Sequence, residues 1–548
     1  MERRTPGRRP SVVFEESKWT EYFNEYQPFP CSHQPKGRIE DRRDELVRKV
    51  SHMIQECISK KENLFEVMKI VDVLERLGVG YHFEEDIATF LDILNRNPSV
   101  ADDLYAASLQ FRLLRQHHYD APCEIFKDFM DENGDFKDTL RSNVDALLSL
   151  YEAAHLRKRD EDILKRAIVF TTNSLSSLAN GGDHLPKPIR DEVLHALASP
   201  THRRIKRLEA KSFISIYEDD KESNEDILEL AKLDFHILLQ MHRDEVKSLS
   251  LWYKDLNARC MLGRYIRERP VENYYWALCV CHEPHYAKPR MMFAKIMVLL
   301  SFFDDTFDSY GTLEEVHQFN QAVQSWDEGA AKQIGNYYAY VMSIISKTLD
   351  EFIADDGASQ VGINCFKETM KDVSKCMLQE VVWREEVQVP TVDDYLKKAA
   401  VISVMYLPVA VILFLGMNAV DEHFTWANSL PKIIEIGAIM CRLMDDIAGH
   451  ENEKEERSKC FTAVDCYVKH HGVMVKEAKQ VLSCIVEEDW WKINEEFLSN
   501  DKVPVPMLMV LLNLVRTMGG IYNDVDTYTK CSKVADPIHK LLNECVNH

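Results

Sequence analysis

The chain has 548 residues, which is more than one hydrophobic core usually holds and allows roughly two to four domains. Its net charge of −22 argues against a general nucleic-acid-binding surface, because phosphate backbones are bound by basic grooves. An anionic small molecule would therefore need metal ions and a few local arginines for its binding.

The first residues and the cysteines both predict a reducing, intracellular location. Residues 1–10 are rich in arginine but lack the apolar core of a secretory signal, and they are too short for a complete organelle transit peptide. The 14 cysteines are scattered, and apart from Cys279 and Cys281 none shows close pairing or zinc-ligand spacing. We therefore expect a cytoplasmic protein with free thiols.

Helical periodicity dominates the chain, whereas the alternation of β-strands is scarce. The clearest periodic stretches are Asp44–Leu77, Asp86–Leu94, Leu104–Leu114, Leu228–Leu256 and Ile433–Ile447. The 19 glycines and 19 prolines fall mostly between such stretches. This pattern predicts an all-α protein, and the polar run Glu218–Glu225 divides it into predicted domains 1–224 and 225–548.

An acidic motif follows the apolar residues LLSFF in the second predicted domain. It reads Asp304, Asp305, Thr306, Phe307 and Asp308. Residues four apart share a helix face, so Asp304 and Asp308 point together and repel each other. Divalent cations would relieve that repulsion. A ligand set of oxygens favours Mg²⁺ or Mn²⁺, and Mg²⁺ usually completes its shell with water and phosphate oxygens.

The segment Ala399–Val420 contains no charged residue and is long enough to span a bilayer. Pro408 and Gly416 within it, and the charged segments on both sides, fit a kinked helix buried in protein at least as well. The window alone leaves both alternatives open.

A second acidic motif runs from Asp445 to Glu453. Its helical spacing places positions 445, 449 and 453 on one face, and Arg442 precedes Asp445 by about one turn. Together the two motifs predict a divalent metal site that binds a phosphate-bearing substrate.

With both motifs on helices of one predicted domain, the chain resembles the plant terpene synthases, in particular the cytosolic sesquiterpene cyclases. Stretches that read like the family are Arg9–Trp19, Leu74–Ile87, Leu109–Asp120, Leu147–Arg157 and Arg267–Arg269. The arginine pair precedes Asp304 by the family's usual interval, and the resemblance covers nearly the full length. Glu16 departs from it, because a proline is common at that position.

The resemblance implies two helical domains, with a class I terpenoid synthase fold in the second. The first would be a catalytically silent α-barrel, since no Asp-X-Asp-Asp motif precedes residue 225. The implied protein is a monomer without a membrane span or a nucleic-acid partner. It would bind a prenyl diphosphate, ionise farnesyl diphosphate with roughly three Mg²⁺ ions, and convert the carbocation to a sesquiterpene olefin or alcohol. Mn²⁺ is a possible substitute.

The resemblance also assigns roles to individual residues. The implied metal ligands are Asp304, Asp305, Asp308, Asp445, Gly449 and Glu453. The implied substrate-binding residues are Arg267, Arg269, Asp304, Asp308, Arg442, Asp445, Ile402 and Ser403. Ile402 and Ser403 would lie on a kinked helix whose backbone carbonyls face the substrate. The implied catalytic residues are Trp276, Asp526 and Tyr528. Gly449 stands where Ser or Thr is usual, so a water would complete that coordination shell.

Three alternatives remain at this stage. A monoterpene synthase acting on geranyl diphosphate would share the family and the motifs. A chain-elongating prenyltransferase would normally repeat Asp-Asp-X-X-Asp, which Asp445–Glu453 does not. A non-catalytic helical scaffold would bind divalent ions without turnover, and it leaves the arginines unexplained.

Overall fold

The computed structural model describes most of the chain. The described residues are 14–19, 21–23, 36–60, 64–97, 103–181, 185–399, 402, 404–455, 461–523 and 525–546. Within these ranges nearly all regular structure is helical, and the β contact found there is one isolated bridge between Met130 and Phe136. The prediction of an all-α protein is confirmed.

The chain divides into two compact units. One contains the described residues of 29–240, 490–500 and 543–548, and we call it the N-terminal unit. The other contains the described residues of 1–28, 241–489 and 501–542, and we call it the C-terminal unit. Two helical units agree with the expected architecture, whereas the exact boundary at 224/225 stays a prediction.

The N-terminal unit is built from amphipathic helices around one apolar core. Its first eight α-helices are α1 Lys36–Lys60, α2 Leu64–Arg76, α3 Glu84–Arg96, α4 Leu104–Gln116, α5 Val144–Ala154, α6 Asp162–Asn180, α7 Lys187–Ala198 and α8 Lys206–Glu218. In α2 the buried residues Val67, Met68, Val71 and Leu74 follow the helical period. The same periodicity buries one face of the neighbouring helices, and these faces form a contiguous core.

Sixteen further α-helices follow residue 224 in the described part of the chain. They are α9 Glu225–Leu256, α10 Ala258–Leu262, α11 Pro270–Val280, α12 Ala287–Asp305, α13 Leu313–Ser325, α14 Glu328–Ile334, α15 Asn336–Ala354, α16 Gln360–Glu386, α17 Val392–Asp394, α18 Tyr406–Gly416, α19 Asp421–Asn428, α20 Lys432–Glu455, α21 Ala463–His471, α22 Val475–Ser499, α23 Val505–Ile521 and α24 Ala535–Leu542. Two π-helical turns, Thr306–Tyr310 and Tyr395–Ala399, lie among them.

Helix α12 is the central helix of the C-terminal unit. It packs against α11, α15 and α18, and most of its residues are buried all round rather than along one stripe. At its C-terminal end it continues directly into the π-helical turn Thr306–Tyr310. Such turns often mark functional positions in helices. This one carries the last residues of the first acidic motif.

The uncharged segment 399–420 is mostly buried in its described part. It begins at the end of the π-helical turn Tyr395–Ala399, and Met405, with φ of 62°, precedes the 11-residue helix α18. Pro408 lies in the first turn of α18, where its missing N–H is harmless, and Gly416 ends the helix. No helix in the described ranges combines the length and apolarity that a membrane crossing needs. The alternative of a broken, buried helix is therefore the one observed.

Gly416 allows α18 to lie against the start of α12. A Cβ added there would lie 2.3 Å from Pro289 Cα, far inside contact distance. We expect Gly416→Ala to lower the free energy of unfolding by about 1–3 kcal/mol, because backbone would have to move. The matched control is Gly519→Ala in α23, whose added Cβ would meet only Met444 Sδ at 3.9 Å.

Thermal denaturation of the two variants and the wild type measures the difference. The control should retain or slightly raise the wild-type Tm, because alanine is the better helix former. An unchanged Tm for Gly416→Ala would contradict the close approach of the two helices.

Candidate active site

A cavity in the C-terminal unit is lined by ionisable and apolar side chains together. The ionisable ones are Arg267, Asp304, Asp308, Glu380, Arg442, Asp445 and Asp526. The aromatic ones are Trp276, Phe293, Tyr406, Phe461, Tyr522 and Tyr528. These residues come from α11, α12, α16, α18, α20, α23 and the segments next to them. The cavity thus joins positions that are more than 250 residues apart in the chain.

In the first acidic motif, Asp304 and Asp308 line the cavity and Asp305 does not. Asp305 is 1% exposed. Its Oδ2 accepts a hydrogen bond of 2.8 Å from the backbone N–H of Arg267, and its Oδ1 lies 2.9 Å from Arg267 Nε. Asp305, proposed from the resemblance as a supporting metal ligand, is placed instead as an anchor for the segment that carries Arg267.

Arg267 is buried beside Asp304 and Asp305, two of the three aspartates of this motif. Its Nη2 lies 2.5 Å from Asp304 Oδ2, and its guanidinium lies 5.2 Å from the centre of the Tyr528 ring. Burial by itself would lower the pKa of Arg267, but the charges of Asp305 and Asp304 hold it well above its ordinary value. Arg267 therefore stays cationic on the cavity wall.

Burial raises the pKa of two cavity carboxylates, Asp304 and Asp445, above the ordinary range of an aspartate. For Asp304 the main cause is burial, the charge of Asp308 adds to it, and Arg267 opposes it. For Asp445 burial again leads, Arg442 opposes it, and the charges of Asp526 and Asp446 raise the pKa further. The site therefore gathers more negative charge than its arginines neutralise, and added cations would stabilise it.

In the second acidic motif, as in the first, one aspartate lines the cavity and the adjacent aspartate does not. Asp445 lines the cavity, with Oδ2 3.7 Å from Arg442 Nη1. Asp446 is 1% exposed, and it accepts a hydrogen bond of 2.7 Å from the backbone N–H of Ala463. Gly449 is buried on the same helix, α20, outside the cavity lining. Glu453 also lies on α20, but its side chain is outside the described part of the structure.

The described carboxylates are gathered around the cavity without forming a ready metal cage. No group of three His, Cys, Asp or Glu side chains in the described ranges already converges on one point. Asp304 is instead held by Arg267, and Asp445 lies beside Arg442.

Arg269 lies outside the cavity lining, although the sequence motif suggests a phosphate contact. It is 1% exposed. Its guanidinium donates to the backbone carbonyls of Tyr528, Thr529 and Glu15 at distances of 3.2, 3.3 and 2.6 Å. Arg269 therefore fastens two chain segments from opposite ends of the sequence to the start of α11.

We call residues 9–19 the N-terminal strap, and its described residues, 14–19, belong to the C-terminal unit. Ser17 Oγ donates to Glu272 Oε1 at 2.5 Å, and Cys531 Sγ lies 3.6 Å from the carbonyl oxygen of Glu16. Trp19 is 3% exposed. The stretch Arg9–Trp19, which resembles the family, thus contacts the C-terminal segment after α23 through its described residues.

The three predicted catalytic residues are brought together at the cavity. The Trp276 ring centre lies 5.4 Å from that of Tyr528 and 6.2 Å from that of Tyr522. The Tyr528 hydroxyl and the Ser301 hydroxyl form a hydrogen bond. Asp526 Oδ1 accepts hydrogen bonds from the backbone N–H groups of Tyr528 and Thr529, both at 2.9 Å. Asp526 therefore shapes the turn that presents Tyr528 to the cavity.

The helix break before α18 contributes Val404, Met405 and Tyr406 to the cavity wall. Ile402 is half-buried outside this lining, and its carbonyl accepts a hydrogen bond of 3.2 Å from Met405 N. Ser403 lies outside the described residues. The substrate contacts assigned to Ile402 and Ser403 stay predictions.

Sequence reasoning missed Tyr522, Glu380 and a buried arginine, Arg384. Tyr522 and Glu380 line the cavity, and Arg384 lies beside Asp308. Helical spacing could not single out Glu380 or Arg384, because α16 carries many charged residues and all of them except Arg384 are at least partly exposed. Their role depends on which face of α16 is buried.

Comparison with known proteins agrees with this geometry. The family descriptions "Terpene synthase, N-terminal domain" and "Terpene synthase family, metal binding domain" match residues 18–197 and 254–492. The chain is 37% identical to (-)-germacrene D synthase of Vitis vinifera over 535 residues, covering 95% of this chain and 93% of the relative. It is 36% identical to valencene synthase of Vitis vinifera over 544 residues, covering 96% and 95%.

A solved structure with the same architecture is isoprene synthase from grey poplar, Populus x canescens, in complex with three Mg²⁺ ions and dimethylallyl-S-thiolodiphosphate. It is 28% identical, with a TM-score of 0.83, and the match covers 93% of this chain and 97% of that structure. With acidic motifs, arginines and aromatic rings meeting at one cavity, the chain belongs to the terpene synthase family.

Proposed function

We propose that the chain is a sesquiterpene synthase that ionises farnesyl diphosphate with Mg²⁺ and closes the resulting carbocation to an olefin or an alcohol. The observation that carries the proposal is one cavity that combines carboxylates from both acidic motifs, two arginines and a wall of aromatic rings. The relatives named germacrene D synthase and valencene synthase support the sesquiterpene class. Nothing in the cavity favours the prenyltransferase or the scaffold alternative.

The donor set of the cavity fits a hard divalent cation. Asp304, Asp308 and Asp445 offer carboxylate oxygens, and burial makes their charge costly without a counterion. We propose these three as ligands, with Glu453 and a water at Gly449 completing the second motif. Bound Mg²⁺ supplies Lewis-acid neutralisation of the diphosphate. Mn²⁺ would meet the same oxygen ligands.

The arginines on the cavity wall would bind the diphosphate. Arg267 and Arg442 both line the cavity and both keep a pKa well above the ordinary value despite burial. A guanidinium can donate two hydrogen bonds to phosphate oxygens at once. Diphosphate binding would draw Arg267 partly away from Asp304 and free that carboxylate for a cation. Arg269 would contribute by holding the chain segments around the site.

The aromatic residues would stabilise the carbocation and exclude water. The ring centre of Trp276 lies 6.2 Å from that of Tyr522 and 5.4 Å from that of Tyr528. A ring face attracts a cation by about 2 kcal/mol or more when water is excluded. Burial raises the pKa of Tyr528, so its hydroxyl is neutral at neutral pH. We propose that Asp526 and Tyr528 help the final deprotonation.

The remaining features are proposals of the same kind. We infer a monomer that works in the cytoplasm, with a catalytically silent N-terminal domain and a boundary near residue 224. The monoterpene alternative would need geranyl diphosphate as the preferred substrate, and the named relatives do not favour it.

The direct test is product analysis. Purified protein is incubated with Mg²⁺ and either farnesyl or geranyl diphosphate, and extracts are analysed by gas chromatography with mass spectrometry. We expect sesquiterpenes from farnesyl diphosphate and their loss when EDTA removes the metal. Monoterpenes alone would overturn the substrate assignment, and no product from either substrate would overturn the proposed activity.

Asp304→Asn tests the first acidic motif. We expect an intact fold and a kcat at least about tenfold lower, equivalent to about 1.4 kcal/mol of barrier, because one charged ligand is lost. The matched control is Asp372→Asn on α16, whose side chain is 57% exposed and pairs with Lys375. The control should keep its activity. A wild-type rate for Asp304→Asn would remove Asp304 from the metal site.

Trp276 tests the aromatic wall. We expect Trp276→Leu to lower kcat by about 30-fold, which corresponds to the loss of about 2 kcal/mol of cation–π attraction. Trp276→Phe keeps a ring face and should lose less. Equal rates for the two variants would indicate that Trp276 only fills space, and steady-state kinetics with farnesyl diphosphate distinguishes the two cases.

A further inference from the structure

Arg384 is a buried cation next to the first acidic motif that neither motif includes. It lies in the last turn of α16, with 8% of its surface exposed. Its Nη1 lies 3.7 Å from Asp308 Oδ1. Its Nε faces Glu385 Oε1 at 3.4 Å, so the guanidinium lies between a cavity carboxylate and a neighbour on its own helix.

The same guanidinium also contacts the backbone of the π-helical turn. Arg384 Nη1 lies 3.5 Å from the carbonyl oxygen of Asp308, and Nη2 lies 3.5 Å from that of Phe307. In a π-helical turn the regular hydrogen-bond pattern of the α-helix is interrupted, so these carbonyls benefit from an external donor. Arg384 therefore contacts both the side chain and the backbone of Asp308.

With Arg384, each aspartate of the first acidic motif has an arginine beside it that compensates its negative charge. Arg267 lies against Asp304 and Asp305, whereas Asp308 faces Arg384. Asp308 also raises the pKa of Asp304, which means that the two carboxylates repel each other across the turn. A fixed cation on Asp308 reduces that repulsion in the absence of metal.

We propose that Arg384 is a positioning residue that holds Asp308 in the metal-free site and lowers the affinity of the motif for divalent cations. The inference rests on the proposed function only in taking Asp308 as a metal ligand. A cation with two charges and Arg384 neutralise the same carboxylate, so each makes the other less favourable. This competition would let the cations leave with the diphosphate after each turnover.

Thermal denaturation of Arg384→Met tests the inference without measuring turnover. In EDTA the variant should have a Tm a few degrees below that of the wild type, because Asp308 loses its counterion. When Mg²⁺ at a saturating concentration and inorganic diphosphate are both added, the difference in Tm between the variant and the wild type should become much smaller. The half-saturating Mg²⁺ concentration should also be lower for the variant than for the wild type.

The matched control is Arg290→Met. Arg290 is also buried and ion-paired, with Nη2 2.7 Å from Glu245 Oε1, but it lies outside the cavity lining. Its loss of Tm should remain when Mg²⁺ and diphosphate are added. If Arg384→Met does not fold, Arg384→Lys keeps the charge without the planar fork and should show a smaller shift of the Mg²⁺ concentration in the same direction.

Two outcomes would overturn the inference, and they are distinguishable. If Mg²⁺ and diphosphate raise the Tm of the wild type but leave the Arg384→Met difference unchanged, Arg384 is merely structural. If they do not change the Tm of the wild type, the metal site fails as well, and with it the basis of the proposed function.

Discussion

The site depends on how the C-terminal unit keeps carboxylates inside an apolar wall. Buried carboxylates are unstable unless each has a partner of opposite charge or hydrogen-bond donors. Asp304, Asp308 and Asp445 all face the cavity, and burial raises the pKa of Asp304 and Asp445. Arg267, Arg384 and Arg442 lie within 3.7 Å of them. The compensation is partial, which leaves the site ready for added cations.

Each acidic motif begins with two adjacent aspartates, and the structure uses the two members differently. Adjacent residues of a helix cannot share a face. The first aspartate therefore faces the cavity, and the second turns away to accept a backbone N–H from another segment. Asp305 accepts from Arg267 and Asp446 accepts from Ala463, at 2.8 and 2.7 Å. The second aspartates thus position the chain segments around the site.

Arg269 extends the same principle to the chain ends. It donates to backbone carbonyls of the N-terminal strap and of the segment containing Tyr528. An arginine with several carbonyl partners orders the segments around it without adding a charge to the cavity. The turn that presents Tyr528 to Trp276 is further shaped by Asp526.

Much of the fold could be predicted from the sequence, because helical periodicity and the sparse glycines and prolines are local signals. The segment 399–420 shows where this reasoning stops. Its composition allows a membrane helix or a buried one, and the choice depends on what surrounds it. The structure shows the buried alternative: the helix is broken before α18, neighbouring helices bury α18, and Pro408 and Gly416 lie near its two ends.

The sequence by itself determined the helical class, the two acidic motifs and the family resemblance, since each follows from residue type and spacing along one element. Only the tertiary structure decided which charged residues face the cavity. It placed Asp305, Asp446 and Arg269 away from the cavity, and it brought Glu380 of α16 to the cavity wall and Arg384 of the same helix beside Asp308. The reason is physical: burial and charge compensation depend on residues far apart in the chain, and no local pattern records them.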